Sequence, residues 1–256
     1  MAANRHLRLS ILALALLAFP AGAWSLGCNF SAERKATLDT SGVTRVEVLA
    51  RAGDLTLRPS VGTTVTATGK ACASHEKYLE QSQVHVSRQG GVIQVMVELP
   101  EELTGIGIFY ASLDLTVDIP ADLPTVVTDS SGDITVDTVH LTRLSDSSGD
   151  VVVRNLPADV EINDSSGDIR VENAAGLVKI SDSSGDIVVH GAHDVVIPSD
   201  SSGDIDIERI AGSVRIENDS SGDVSISQVE GNVEFIADSS GGVHVSGVKG
   251  TVKLPL

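Results

Sequence analysis

The tetrapeptide Asp-Ser-Ser-Gly occurs seven times in the second half of this 256-residue chain, and this feature constrains the fold more than any other. The copies start at Asp129, Asp146, Asp164, Asp182, Asp200, Asp219 and Asp238, with spacings of 17, 18, 18, 18, 19 and 19 residues. A unit so short cannot bury an apolar face within itself, so it must stack on its own copies.

Counting the first Asp as position one, fixed apolar columns emerge. The sixth position reads Ile134, Val151, Ile169, Ile187, Ile205, Val224 and Val243; the eighth reads Val136, Val153, Val171, Val189, Ile207, Ile226 and Val245. A period of two in β-branched residues is the mark of a short strand with one buried face. A second pair follows at positions fifteen and seventeen, as in Val160/Ile162, Val178/Ile180, Val214/Ile216, Val233/Phe235 and Val252/Leu254. Most copies therefore hold two strands. Between them stands a small or apolar eleventh residue, often followed two places later by Gly176, Gly212, Gly231 or Gly250, where a corner needs positive φ or close backbone approach.

The expected fold is all-β: a parallel β-solenoid (β-helix) of about 18 residues per coil, right-handed by the general crossover preference. Seven coils stacked at about 4.8 Å would make a rod of about 29 Å. The left-handed hexapeptide solenoid is disfavoured because its apolar residues recur every six positions. Pro198 falls on the seventeenth position of the fourth copy, where its missing N–H should loosen the strand. The first copy is one residue short with a poorly marked second strand, and the fifth and sixth are one residue longer.

The N-terminus reads as a secretory signal: Arg5 and Arg8, an apolar run from Ile11 to Phe19, then Pro20 and Ala21-Gly22-Ala23. The run is too short to cross a bilayer. Expected segments are a signal peptide over 1–23, a β-rich lead-in and N-terminal cap over 24–120, and the solenoid over 121–256. Removing residues 1–23 takes two arginines and no acid, moving the net charge from -17 to -19. So acidic a surface repels phosphates and argues against nucleic-acid partners. Export would place Cys28 and Cys72 where disulfides persist, and pairing is expected. The rival is a lipidated Cys28, since Gly27 precedes it as lipoprotein processing requires, although Ser25 stands where leucine is usual.

The lead-in is less regular, yet Val46-Glu47-Val48, Val65-Thr66-Ala67, Val84-His85-Val86, Val92 to Val97 and Leu113 to Val117 are β-rich. Ala52-Gly53-Asp54-Leu55-Thr56-Leu57 looks like a worn copy of the repeat core, and 74–83 could hold a short helix. The segments Ser131 to Ile134 and their equivalents, Ala52 to Leu55, and Val117-Asp118-Ile119-Pro120 resemble the adhesin-labelled family of bacterial envelope proteins with β-strand repeats, a domain of unknown function. The resemblance spans about residues 40 to 256. It implies the fold and an envelope location, periplasmic or cell-surface, and carries over no catalytic residues. The uniform Asp before each Ser-Ser, and Gly242 in place of the last Asp, depart from the family pattern.

For function, a non-enzymatic binding or structural module displaying regular polar faces to an envelope or surface partner is expected. A polysaccharide-active enzyme is the weaker reading, because sugar sites lean on aromatics and Phe235 is the only aromatic after Tyr110. The serine pairs lack the Gly-x-Ser-x-Gly context of a nucleophile. His140, His190, His193 and His244 share no repeat position, so no zinc site is expected. No organic cofactor is implied. Two acidic rows remain. Asp129, Asp146, Asp164, Asp182, Asp200, Asp219 and Asp238 stack in one, and Asp133, Asp150, Asp168, Asp186, Asp204 and Asp223 in the other. They could hold Ca²⁺ weakly, or serve as turn-formers bonded to their own Ser-Ser-Gly backbone. The last coil, with Val252 and Leu254, is expected to expose an association edge, which Lys249, Lys253 and Pro255 could blunt.

Overall fold

The computed structural model describes residues 28–104 and 107–255. Residues 1–23, expected to be a signal peptide, lie outside the described residues. In the first half run β1 (Phe30–Asp39), β2 (Arg45–Leu49), β3 (Leu55–Ser60), β4 (Thr64–Ala73), α1 (Glu76–Gln81), β5 (Gln83–Gln89), β6 (Val92–Glu98) and β7 (Ala111–Pro120). The second half continues with β8 (Thr125–Thr128), β9 (Ile134–Asp137), β10 (Leu141–Ser145), β11 (Val151–Leu156), β12 (Val160–Asn163), β13 (Ile169–Ser181) and β14 (Ile187–Ser199). It ends with β15 (Ile205–Ile210), β16 (Val214–Asp219), β17 (Val224–Val229), β18 (Val233–Asp238), β19 (Val243–Val248) and β20 (Val252–Lys253). The short helix falls inside the stretch expected to hold one.

The fold is a parallel β-solenoid. From β8 to β20 every strand pairs in parallel with its equivalent one coil away, as in Val151↔Ile169, Ile169↔Ile187, Ile187↔Ile205, Ile205↔Val224 and Val224↔Val243. The sixth, eighth and eleventh positions point inward and are buried in the first six copies, as are the main apolar residues of the second strands. They join the lead-in residues in one continuous apolar core. Like stacks on like, so each β-branched side chain meets a similar shape above and below it.

The second strand departs from the expected register in two copies. In the fourth, Ile197 and not the seventeenth residue pairs with Ile216 and fills the core, while Pro198 sits half-buried where the register shifts between Lys179 and Ser181. A residue without an N–H is placed where the ladder is already broken, so the strand is bulged and not lost. The first copy does have a second strand, β10, whose buried residues are Leu141 and Leu144 on either side of a bulge.

The corners also differ from a single glycine rule. Positive φ occurs at the tenth position of every copy, in Thr138, Asn155, Asn173, Gly191, Arg209, Gln228 and Gly247. Gly176, Gly212, Gly231 and Gly250 serve close approach instead: a Cβ at Gly212 would lie 2.2 Å from Asp194 Oδ1 and 2.8 Å from the His193 carbonyl oxygen.

The stack runs across residue 120 in an order the chain does not follow. β2 and β3 pair in parallel with β8 and β9 on one side, and with β6 and β7 on the other. The worn copy at 52–57 is thus a true coil, inserted between residues 92–120 and the first Asp-Ser-Ser-Gly coil. Beyond it β1, β4 and β7 form an antiparallel layer, and β5 pairs antiparallel with β6. Antiparallel pairing changes the strand direction and closes that end of the rod to further parallel stacking.

Cys28 and Cys72 are joined in a disulfide across 44 residues, with Cα atoms 5.5 Å apart, tying the residue before β1 to the end of β4. Replacing both cysteines with serine should lower stability by about 4 kcal/mol, from the closed-loop entropy returned to the unfolded chain. Free-thiol titration of the non-reduced protein checks the pairing. Two reactive thiols, or an acyl group on Cys28, would refute it.

Candidate functional site

Each Asp-Ser-Ser-Gly turn is built from bonds within the coil and bonds between coils. In the first four copies the leading Asp accepts, at Oδ1, the N–H of the serine after it, at 2.7 Å in each case. The second serine hydroxyl donates to a serine carbonyl one coil back, as Ser166 to Ser147 at 3.0 Å and Ser184 to Ser165 at 3.0 Å. The glycine N–H donates one coil forward, as Gly167 to Ser184 at 3.1 Å. The second serines are therefore fasteners of the stack, while the first serines contribute main-chain bonds to it.

The two aspartate rows do different things. The second row is exposed and forms a ladder: each Oδ1 accepts the N–H of its equivalent in the next coil, from Asp150 to Asp133 at 3.1 Å through Asp223 to Asp204 at 2.8 Å. Asp54 continues this ladder upward, accepting from Asp133 and donating to Asp114, each at 3.3 Å, and Gly242 closes it by donating to Asp223 at 2.8 Å. The last rung needs only an N–H, which explains why Gly242 tolerates the loss of the side chain.

The first row points inward. Asp129, Asp146, Asp164, Asp182, Asp200 and Asp219 are buried, and Asp238 in the open last coil is half-buried. Oδ2 of the first four has no hydrogen-bond partner, and in Asp200 and Asp219 neither oxygen has one. After Asp219 the serine N–H that the first four carboxyls accept goes elsewhere: Ser220 donates to the main-chain carbonyl of Asp200 at 3.2 Å, as Ser239, which follows Asp238, does to that of Asp219 at 3.1 Å. Burial is the largest influence on all six carboxyls and raises their pKa, to about 7 in Asp129 and Asp200. The inward direction follows from sequence periodicity. Asp129, Asp146, Asp164 and Asp182 stand two residues after the inward-facing Val127, Leu144, Ile162 and Ile180, on the same strand face.

The rows are thus split between core and surface. Among the described residues, no group of three or more His, Cys, Asp or Glu is arranged to hold a metal ion. The four repeat histidines are not gathered: His140 is in the first copy and His244 in the last, while in β14 His190 approaches Asp206 at 3.4 Å and His193 contacts Asp194 at 2.7 Å.

The outward strand faces carry charge in vertical rows. Glu161 lies between Arg143 at 2.7 Å and Lys179 at 2.9 Å, and Glu172 between Arg154 at 3.0 Å and Arg170 at 2.7 Å. Lys179 foremost, then Arg143, holds the Glu161 carboxyl below the usual range; Arg170 and Arg154 do the same for Glu172. Arg215 joins Glu217 and Glu234. These exposed pairs add little stability. They do fix the positions of alternating charges, coil by coil, on a straight surface.

Residues 39–194, more than half of the chain, match the Toastrack DUF4097 family. None of the curated proteins matches the chain. Among solved structures, a proposed cell adhesion protein from Clostridium sporogenes aligns at 12% identity and TM-score 0.43, covering 88% of this chain and all of that one. A proposed adhesin from Bacteroides fragilis aligns at 12% identity and TM-score 0.45 over 88% of this chain and 97% of its own. A proposed lipid-binding protein from Parabacteroides distasonis aligns at 15% identity and TM-score 0.42 over 86% and 96%.

Proposed function

The chain belongs to the Toastrack DUF4097 family, and from that premise we propose that it is an exported, non-enzymatic envelope protein whose rod displays fixed polar faces to a surface partner. The observation that carries this reading is the set of outward charge rows just described. A partner with a complementary linear charge pattern would find Arg143, Glu161 and Lys179 already held in place, and so would lose little entropy in ordering them.

Export is supported by the signal-like residues 1–23 and by the disulfide, a bond that persists in oxidising compartments. No helix among the described residues is long and apolar enough to cross a membrane. The non-enzymatic reading rests on the scarcity of aromatics along the repeats and on serines committed to the turns. The aspartates are read as turn and ladder formers, not as a calcium site.

Two measurements test the proposal. Fractionation of producing cells should find the protein outside the cytoplasm with Trp24 as its first residue. Binding of the mature protein to isolated envelopes should weaken with rising salt, and should fall roughly tenfold or more when Arg143, Arg154 and Arg215 are changed to Glu. Binding unchanged by the reversal would remove the charge rows from the account, and a cytoplasmic protein would remove the envelope role.

A further inference from the structure

Eight carboxylate oxygens inside this rod are buried without a hydrogen-bond partner, spread over six side chains that are no more than 6% exposed. A buried ionised carboxylate without partners is so costly that the group ordinarily neutralises itself. A cation could do this, but no metal-holding cluster exists among the described residues. A proton could do it better. A neutral carboxyl gains an O–H donor, and the next carboxyl of the column stands on the neighbouring strand, whose backbone is about 4.8 Å away.

The charged groups acting on the column are themselves aspartates. Asp146 and then Asp54 act on Asp129, Asp164 and then Asp133 on Asp146, Asp150 on Asp164, and Asp164 and then Asp168 on Asp182. Asp219 and Asp182 act on Asp200, and Asp238 and Asp204 on Asp219. No lysine, arginine or histidine counters them among these influences, so every nearby charge favours the neutral form. Asp200 and Asp219 stand out. They are fully buried, adjacent in the stack through a parallel bridge, and have no side-chain partner at any of their four oxygens.

We infer that the inward aspartates form a proton-holding column, in which the buried, partnerless carboxyls of Asp200 and Asp219 take up protons and link successive coils by O–H···O hydrogen bonds. The protons come from solvent as the rod folds and return to it on unfolding. This pH-responsive device is distinct from the outward charge rows and does not depend on their partner.

The sign follows from linkage. Between the ordinary aspartate pKa of 3.8 and a folded value of about 7, as for Asp200, the folded state binds more protons than the unfolded chain. Stability therefore is greatest at the acidic end and declines as pH rises, the folded-to-unfolded ratio falling roughly tenfold per pH unit for each carboxyl held neutral. Above the folded pKa this contribution is gone.

The test is denaturant unfolding of the mature, disulfide-bonded protein from about pH 4 to about pH 8, with the Asp200→Asn and Asp219→Asn variants beside it. Asparagine keeps the shape and supplies a donor at all pH values. The parent midpoint should fall across the window. The variants should flatten that fall and exceed the parent at the alkaline end. Infrared spectra of the native parent near neutral pH should show a carboxylic-acid carbonyl band that disappears on unfolding, a readout that stands even if a variant fails to fold. A parent midpoint independent of pH, or a native spectrum without the acid band, would overturn the inference. So would a parent midpoint raised at neutral pH by Ca²⁺ relative to chelator and unresponsive in the variants, since the column would then hold a cation.

Discussion

Replacing Gly185 with alanine should destabilise the protein by about 4 kcal/mol or more, a loss of the size reserved for core disruption. Gly185 has φ +136°, and a Cβ there would stand 1.9 Å from the carbonyl oxygen of Gly167 and 2.5 Å from its carbonyl carbon. Both obstacles are main-chain atoms of the preceding coil, so no side chain can swing aside. The same contact repeats from Gly132 against Gly53 down to Gly241 against Gly222, a column of glycines touching backbone to backbone. Gly62 supplies the control: its φ is +126°, with nothing within 4 Å of a Cβ. Gly62→Ala meets only the backbone penalty, about 1 to 3 kcal/mol. Urea denaturation of both variants decides the matter, and equal costs would show that the column is not close-packed.

Ile207→Ala is expected to cost about 3 to 4 kcal/mol, the range for a fully buried isoleucine whose cavity cannot collapse. Ile207 is wholly buried and lies in register between Val189 and Ile226, so the lost volume opens on both neighbouring coils. Hydrogen exchange should speed in those coils first, because a stacked array transmits a defect to its nearest neighbours. Val245→Ala, at the equivalent position of the half-exposed last coil, should cost about 1 kcal/mol, for the removal of two methyl groups that are only partly buried. An equal loss at Val245 and Ile207 would indicate that something covers the last coil in solution, where Val252 and Leu254 are 45% and 44% exposed.

Much of this fold is visible in the bare sequence because a solenoid repeats one local decision. Positions six and eight declare a strand by period two, and seven copies leave no freedom over which face is inside. The family resemblance and the short helix also hold. The register of the second strand is harder to read, because single-residue bulges let Ile197 take the place nominally due to Pro198, and let Leu141 and Leu144 serve where no fifteenth and seventeenth pair stands. The place of residues 45–60 in the stack is hidden for another reason. Their partners in β8 and β9 lie some eighty residues away, and only the Gly53-Asp54 pair betrays the kinship. At the candidate site, the turn role of the serines follows from their residue type. The burial of the first aspartates does not, since polarity suggests solvent while strand alternation places four of them inward. Alternation wins because the turn supplies one N–H partner at the threshold of the core.

The insertion of β2 and β3 between later strands sets the order in which the molecule can assemble. In the repeats each coil needs only residues 17 to 19 positions away, a small loop-closure cost, so ordering can begin at any coil and spread like a zipper. The N-terminal coil cannot join early. Its upper neighbours arrive with β6 and β7, and its lower neighbours only once residues 125–137 exist. Such long-range pairings form slowly. The rod should therefore nucleate in its C-terminal half and receive its first-made segment last. Kinetically, that leaves the β-rich N-terminal residues uncommitted for as long as an emerging or translocating chain is incomplete.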